Sequence, residues 1–298
     1  MRGLISRETS VGKSCSPGSD RLSPVAALVR RHDHDRFQTV LFAPARRRES
    51  LFALYAFNYE VARVREMVSE PMLGQIRLQW WRESIADAFE GRPVGRHIVV
   101  QPLTAAIRAL GLTRAHFERL VDAREGDLDA APLASLAALE DYAEATSARL
   151  VYLALESLGV RDRAAEEAGF HVGIAYAFAG LLRAMPFQAR VGHMIIPADI
   201  GERTNLDGAD YCALRSTPAV QAATAAIAAA ASRHLVSARA HRNSIPSSAL
   251  PALLPAIIAE RSLVRLKRAG YNPFDSALAI PDATQSWRLA IASLLARF

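Results

Sequence analysis

Cysteine is almost missing from this 298-residue chain, which holds only Cys15 and Cys212, far apart in sequence. Such a pair supplies neither a zinc spacing nor a disulfide framework, and it points to a reducing compartment with inert thiols. Lysine is equally scarce. Of 36 basic residues only Lys13 and Lys267 are lysine, a skew toward arginine that fits genomic base composition better than function. No apolar run reaches the roughly 20 residues of a bilayer span. The longest of interest, Val172 to Leu182 between His171 and Arg183, reads as a buried core helix. Strand-like alternation is absent, and so is a Gly-x-Ser-x-Gly elbow for a serine nucleophile. From Ala168 through Ala198 there is no aspartate or glutamate at all.

What is present is the composition of a folded globular chain, 51% hydrophobic and 22% charged. The formal charge of +6 favours anionic partners such as diphosphates or acidic lipid headgroups. The basic residues are nonetheless spread out, with Arg46, Arg47 and Arg48 the one tight run, and no nucleic-acid-binding signature accompanies them. The length suits one helical domain over residues 25–298. Residues 1–24 carry Arg2, Arg7, Lys13 and Arg21 among serines without an amphipathic pattern, and read as a flexible leader.

Past that leader, apolar residues recur at helical spacing between Pro and Gly stops. Helices are expected over Glu49–Ser69, Gly74–Phe89, Pro102–Leu110, Thr113–Glu125 and Leu136–Leu158. Arg163–Ala184 follows, closed by Pro186; then Asp207–Leu214, Pro218–Asn243, Leu250–Ala269, and a last helix from near Asp282 carrying Trp287 and Leu294. The class is all-α.

Several clusters hold chemically capable side chains. His32, Asp33, His34 and Asp35 have metal-ligand types, but a single run before a helix reads as an N-terminal cap with solvated charges. Trp80 and Trp81 point to different faces, so one of them fills the core. Gly173 and Gly180, seven apart on the apolar helix, suit close helix approach or a smooth cavity wall. His171, His193, His234 and His241 show no zinc spacing.

Leu41-Phe42-Ala43-Pro44, Arg48 and Leu54-Tyr55-Ala56-Phe57 resemble the opening of the squalene/phytoene synthase family. The resemblance continues through Leu120-Val121-Asp122, Asp127-Leu128, Tyr142-Ala143-Glu144-Ala145-Thr146, Leu181-Leu182-Arg183 and Ile195-Ile196-Pro197, over roughly residues 30 to 275. It implies a prenyl-synthase-like helical bundle around a central cavity. Enzymes of the family join two prenyl diphosphates head to head, with carboxylates at i and i+4 on two facing helices holding magnesium against the leaving group.

Aligned on Tyr55-Ala56-Phe57, the first acidic motif falls at Ala62 and Glu66, with Arg63 beside it; aligned on Leu182-Arg183, the second falls at Ala184 and Gln188. Both motifs are therefore degenerate, no catalytic residue is assigned, and no metal or cofactor is expected. Glu66 and Glu70 form another i, i+4 pair which, with Asp122 or Asp127, is the basis of an alternative: an active magnesium-dependent isoprenoid transferase. Cavity or ligand-binding candidates are Arg48, Tyr55, Glu66, Glu70 and Arg77, together with Asp122, Asp127 and Arg183. Arg77, Arg82, Asp122 and Asp127 either line a surviving cavity or form ion pairs between helices.

Val68-Ser69-Glu70, Ile76 to Trp81 and Gln285-Ser286-Trp287 are similar to the branch of the family that contains a mitochondrial respiratory complex I assembly factor. That resemblance implies a non-catalytic role in biogenesis of the respiratory complex, with a protein partner there and a lipid or prenyl ligand as a further candidate. It implies peripheral contact with the inner membrane: on the cytoplasmic side, or free in the cytoplasm, in a bacterium, and on the matrix side in a eukaryote. A membrane-surface lipid-binding protein with neither role is a third reading.

Overall fold

The computed structural model describes residues 22–129, 131–240 and 242–298. Residues 1–21 of the expected 1–24 leader, with Cys15 and Lys13, and also Ala130 and His241, lie outside the described residues, while Pro24 of that expected leader already starts a helix. Among the described residues all regular structure is helical, as the periodicity indicates.

The first two helices were not expected from periodicity. Helix α1 (Pro24–His32) has Pro24 at its first position, where a missing N–H costs nothing, and Ser23 Oγ accepts from Ala26 N at 3.1 Å. Asp33 ends it and caps α2 (His34–Val40), accepting from Arg36 N at 3.1 Å. Helix α3 (Ala45–Ala62) starts four residues before its expected Glu49 and stops at Arg63, whose φ of −88° and ψ of 1° leave the α region. A single turn, α4 (Val64–Met67), follows. The expected Glu49–Ser69 helix is thus two pieces split at Arg63, and the second ends at Met67 because Val68 and Glu70 are extended, the conformation that the residue before Pro71 favours.

Helix α5 (Pro71–Phe89) packs on α6 (Val100–Leu110) and α7 (Arg114–Ala123), α6 packs on α3, and Phe57 of α3 reaches Trp81 of α5 and Phe117 of α7 edge to face. Gly111 closes α6 at φ 59°, a left-handed position that glycine occupies without strain. Buried Glu156 ties the start of α7 to a later helix by accepting from Thr113 N at 2.8 Å and Arg161 Nη1 at 2.9 Å. The expected Leu136–Leu158 helix is α8 (Leu136–Ala143) and α9 (Arg149–Ser157), joined by a π-helical turn over Glu144–Ala148.

Helix α10 (Arg163–Arg190) is the spine, packed against α9, α13 and α15. It is long and apolar enough to cross a bilayer, yet 61% of its most apolar stretch is buried in the bundle, consistent with a core helix. It does not stop at Pro186 but runs on to Arg190. A proline inside a helix costs about 3 kcal/mol. Burial of Phe178, Leu182, Met185 and Ala189 on either side, at about 1.5–3 kcal/mol for each large side chain, offsets that.

Helix α11 (Ala198–Thr204), also unexpected, and α12 (Gly208–Cys212) lead into α13 (Pro218–Arg239), where Thr217 accepts from Val220 N. The expected Leu250–Ala269 helix is broken into α14 (Leu250–Leu253) and α15 (Pro255–Arg268), because Pro255 starts a new helix rather than continuing the old one. Helix α16 (Gln285–Leu294) closes the described chain. One contiguous apolar core extends from Val25 to Phe298.

Gly173 marks the closest approach in this core. A Cβ there would meet Ala148 Cα at 2.4 Å and Ala148 N at 2.6 Å, so α10 touches the π-helical turn backbone to backbone. A Cβ at Gly180 would meet nothing within 4 Å.

Candidate functional site

The two positions that the resemblance marks for metal binding lie on α3–α4 and α10. Ala62 is the last residue of α3, and Arg63 turns the chain before the exposed Glu66 on α4. Glu70 is exposed and extended ahead of α5, so Glu66 and Glu70 do not share a helical face, contrary to their i, i+4 spacing. Arg63 folds back along its own helix: Nη1 donates to Tyr59 Oη at 2.9 Å and the guanidinium lies 5.0 Å from the Tyr59 ring centre. On α10, Ala184 has no donor atom, and Gln188 Oε1 accepts from His193 Nδ1 at 3.0 Å.

Between these helices sits an arginine, tyrosine and aspartate network that the sequence reading missed in large part. Asp35 on α2 accepts from Arg183 Nη1 of α10 at 2.7 Å and, through its other oxygen, from Gln285 Nε2 of α16 at 2.8 Å. Arg36 donates to Asp33 at 2.8 Å and lies between two rings, 5.5 Å from Tyr55 and 4.7 Å from Tyr176. Tyr142 on α8 donates to Asp127 at 2.6 Å, and Arg124 Nη1 donates to both the Tyr142 hydroxyl (2.6 Å) and Asp127 (3.2 Å). The Arg36 and Arg124 side chains are only 12% and 14% exposed, and Arg124 Nε is buried without a partner.

These charges set the titration of their neighbours. Burial pushes the Asp35 carboxyl up, but the Arg183 charge and hydrogen bond, the Gln285 amide and Arg36 together hold it below its ordinary value. Burial pushes the Tyr55 phenol up to about 12, and it raises Tyr142 and Tyr176 as well. Burial also opposes the charge on Arg36, and Asp33 more than restores it. Arg124 behaves alike with Tyr142 and Asp127, although the nearby Arg36 charge works against it.

Magnesium requires several oxygen donors in octahedral order, near 2.1 Å. This donor set does not fit it. Asp33, Asp35 and Asp127 each already hold a guanidinium. Among the described residues no three His, Cys, Asp or Glu side chains come together in a metal-binding group.

The other candidates are scattered. Tyr55 and Arg183 belong to the network. Arg48 closes the turn between α2 and α3 instead, donating to Ala43 O at 2.9 Å and Leu41 O at 2.8 Å. Asp122 accepts from Arg82 Nε at 2.8 Å while Arg82 Nη2 reaches Glu125 at 2.7 Å, an ion-pair cluster joining α5 and α7 at the surface. Exposed Arg77 stands at a groove of about 350 Å³ with Trp80 and His97. Trp81 is core and Trp80 is 41% exposed, but the two indoles do not part to opposite faces: they meet edge to face at 4.9 Å and both pack on His97.

In the His32–Asp35 run, Asp33 is the cap, His32 stacks on Tyr59 at 4.4 Å, and Asp35 turns inward, so these charges are not all solvated. The signal for the network was available: Tyr176 and Arg183 are seven apart on an apolar helix and so share a face.

A second opening, of about 450 Å³, lies between α10, α15 and residues 273–279. Leu182, Phe187, Leu263 and Phe274 line it, with Arg183 and Arg190 at its polar side.

A model of the squalene/phytoene synthase family matches residues 29–291. The NADH dehydrogenase (ubiquinone) complex I, assembly factor 6, of Bos taurus is 30% identical over 298 residues, covering 95% of this chain and 89% of its own. The Homo sapiens protein of that name is 32% identical over 268 residues, covering 88% and 80%. The crystal structure of a squalene synthase from Alicyclobacillus acidocaldarius superposes with a TM-score of 0.73 at 22% identity, over 84% of this chain and 94% of that one, a likeness of fold. By the extent of the family match and the identity to these relatives, the chain belongs to the squalene/phytoene synthase family.

Proposed function

We propose that this protein is a non-catalytic member of its family that acts in the biogenesis of respiratory complex I, at the face of the inner membrane where that complex is assembled. In a bacterium this is the cytoplasmic face, and in a eukaryote the matrix face. The observation that carries the proposal is the chemistry of the buried network: guanidinium groups of Arg36, Arg124 and Arg183 hold Asp33, Asp127 and Asp35, while Ala62, Ala184 and Gln188 stand where alignment to the family places its metal-binding carboxylates. A network so arranged leaves these carboxylates already paired and not free to gather divalent cations, and family membership does not by itself carry the reaction over. The likeness to complex I assembly factor 6 supports the assembly role. The partner is a protein segment of the growing complex, and the opening between α10 and α15 suits an apolar chain of a partner or lipid.

Two measurements test this. Deleting the gene in its own host should lower assembled complex I on native gels, and undiminished levels would sink the assembly role. Purified protein with farnesyl diphosphate and magnesium should release no pyrophosphate above a blank. Release that is lost in Glu66→Ala would establish an active transferase instead.

A further inference from the structure

Helix α16 is apolar on the wrong side for a helix that only packs against its own bundle. Leu289 and Ala292 face the core, whereas Trp287, Ile291, Leu294 and Leu295 are exposed, Trp287 by 73% and Leu294 by 86%. At about 100° per residue these four occupy a stripe roughly 100° wide centred opposite Leu289, at the pole of the helix farthest from the core. The helix does not depend on that stripe for attachment. Gln285 Nε2 donates to Asp35 and to Gln38 Oε1 at 2.9 Å, and Ser286 Oγ accepts from Gln38 Nε2 at 3.0 Å. Polar residues fasten the helix to α2, and the apolar ones remain outside.

We infer that this face docks on an anionic lipid bilayer, with α16 lying along the membrane surface. The inference deepens the membrane placement proposed above, and the charge around the stripe selects the occupant. From Ala283 to Phe298 the only charged side chains are Arg288 and Arg297, and the carboxylates beside them, Glu260 and Asp282, are held by Arg239 and Arg261. An apolar stripe with a tryptophan and flanking arginines enters the boundary of headgroups and acyl chains, while the arginines meet lipid phosphates. A second copy of the chain on the same face would bring arginines onto arginines, with Glu260 and Asp282 already paired to Arg239 and Arg261. Residues 1–21 are a poor cover for the same reason, carrying Arg2, Arg7, Lys13 and Arg21 against Glu8 and Asp20.

Flotation of the full chain with vesicles tests the assignment, using phosphatidylcholine alone or in equal parts with phosphatidylglycerol. The protein should float with the anionic vesicles, less so as salt rises, and hardly with phosphatidylcholine alone. Trp287→Ser with Leu294→Ser should weaken binding about tenfold or more, since both side chains leave the acyl boundary. Arg288→Glu with Arg297→Glu should weaken it on anionic vesicles specifically. Circular dichroism of each variant should match the parent, because these side chains face outward. No flotation of the parent, or flotation indifferent to both pairs of substitutions but lost in Ile76→Ser on α5, would overturn the assignment. Conversion of a dimer to a monomer by the apolar pair, seen by sedimentation, would overturn it too and make the stripe a self-association face. The outcome is separate from the assembly role, which is read from complex I levels.

Discussion

Arg183 donates to Asp35 across 2.7 Å and thereby ties the spine helix to a short helix near the start of the described chain, with Gln285 from the last helix on the same carboxylate. One aspartate holds three segments of the bundle together.

Asp35→Ala should therefore destabilise the fold by about 1–2 kcal/mol in urea unfolding, less than a fully buried pair would cost because Arg183 is 43% exposed. Asp35→Ala with Arg183→Leu should recover much of that loss, since no guanidinium is then left unanswered beside Arg36. The carboxyl is depressed in the folded state. Its contribution is complete above the unfolded value of about pH 4 and is lost as pH falls through the folded value.

Tyr142→Phe removes the hydroxyl that donates to Asp127 and accepts from Arg124. Two half-buried charged groups lose a partner, and a loss of about 1–3 kcal/mol is expected. A thermal melt at neutral pH, compared with Tyr152→Phe on α9, checks it.

The glycines on α10 should behave oppositely. Gly173→Ala drives a methyl into the backbone of Ala148 and is expected to cost about 3 kcal/mol or prevent folding. Gly180→Ala enters open space and should be neutral or stabilising by up to about 1 kcal/mol through helix propensity. Soluble yield and melting temperature separate the two.

His171 Nδ1 and His234 Nδ1 lie 2.9 Å apart between α10 and α13, a contact that needs one ring to donate and the other to accept. Burial lowers both pKa values; His234 and Arg233 lower them further, against Glu167 and Glu140, the latter 3.6 Å from His234 Nε2. The folded state thus prefers neutral rings. Stability should be flat above about pH 6.5 and fall below it, by at most about 1.4 kcal/mol per pH unit for each proton. His234→Gln should flatten that slope in melts between neutral and mildly acidic pH.

Helical class and most helix positions were legible because amphipathic spacing and Pro or Gly stops are local signals. Pro186 and Arg63 show where local signals fail. Packing on both sides carries α10 through its proline, and no residue type announces the turn that separates Ala62 from Glu66. The absence of aspartate and glutamate from Ala168 through Ala198 could be read directly, but not the network built around Arg183. Tyr176 meets Asp35, and Arg124 meets Tyr142, only after helices pack, and in the linear chain each looks like an ordinary surface charge or core aromatic.

The π-helical turn at Glu144–Ala148 sets the phase of what comes before it against what comes after. Removing one residue from it would rotate Tyr142 by about 100° relative to Tyr152, carrying the phenol off Asp127 while α9 kept its seat. The wider π-helical turn is thus what lets α8 and α9 follow one another while presenting two differently oriented walls.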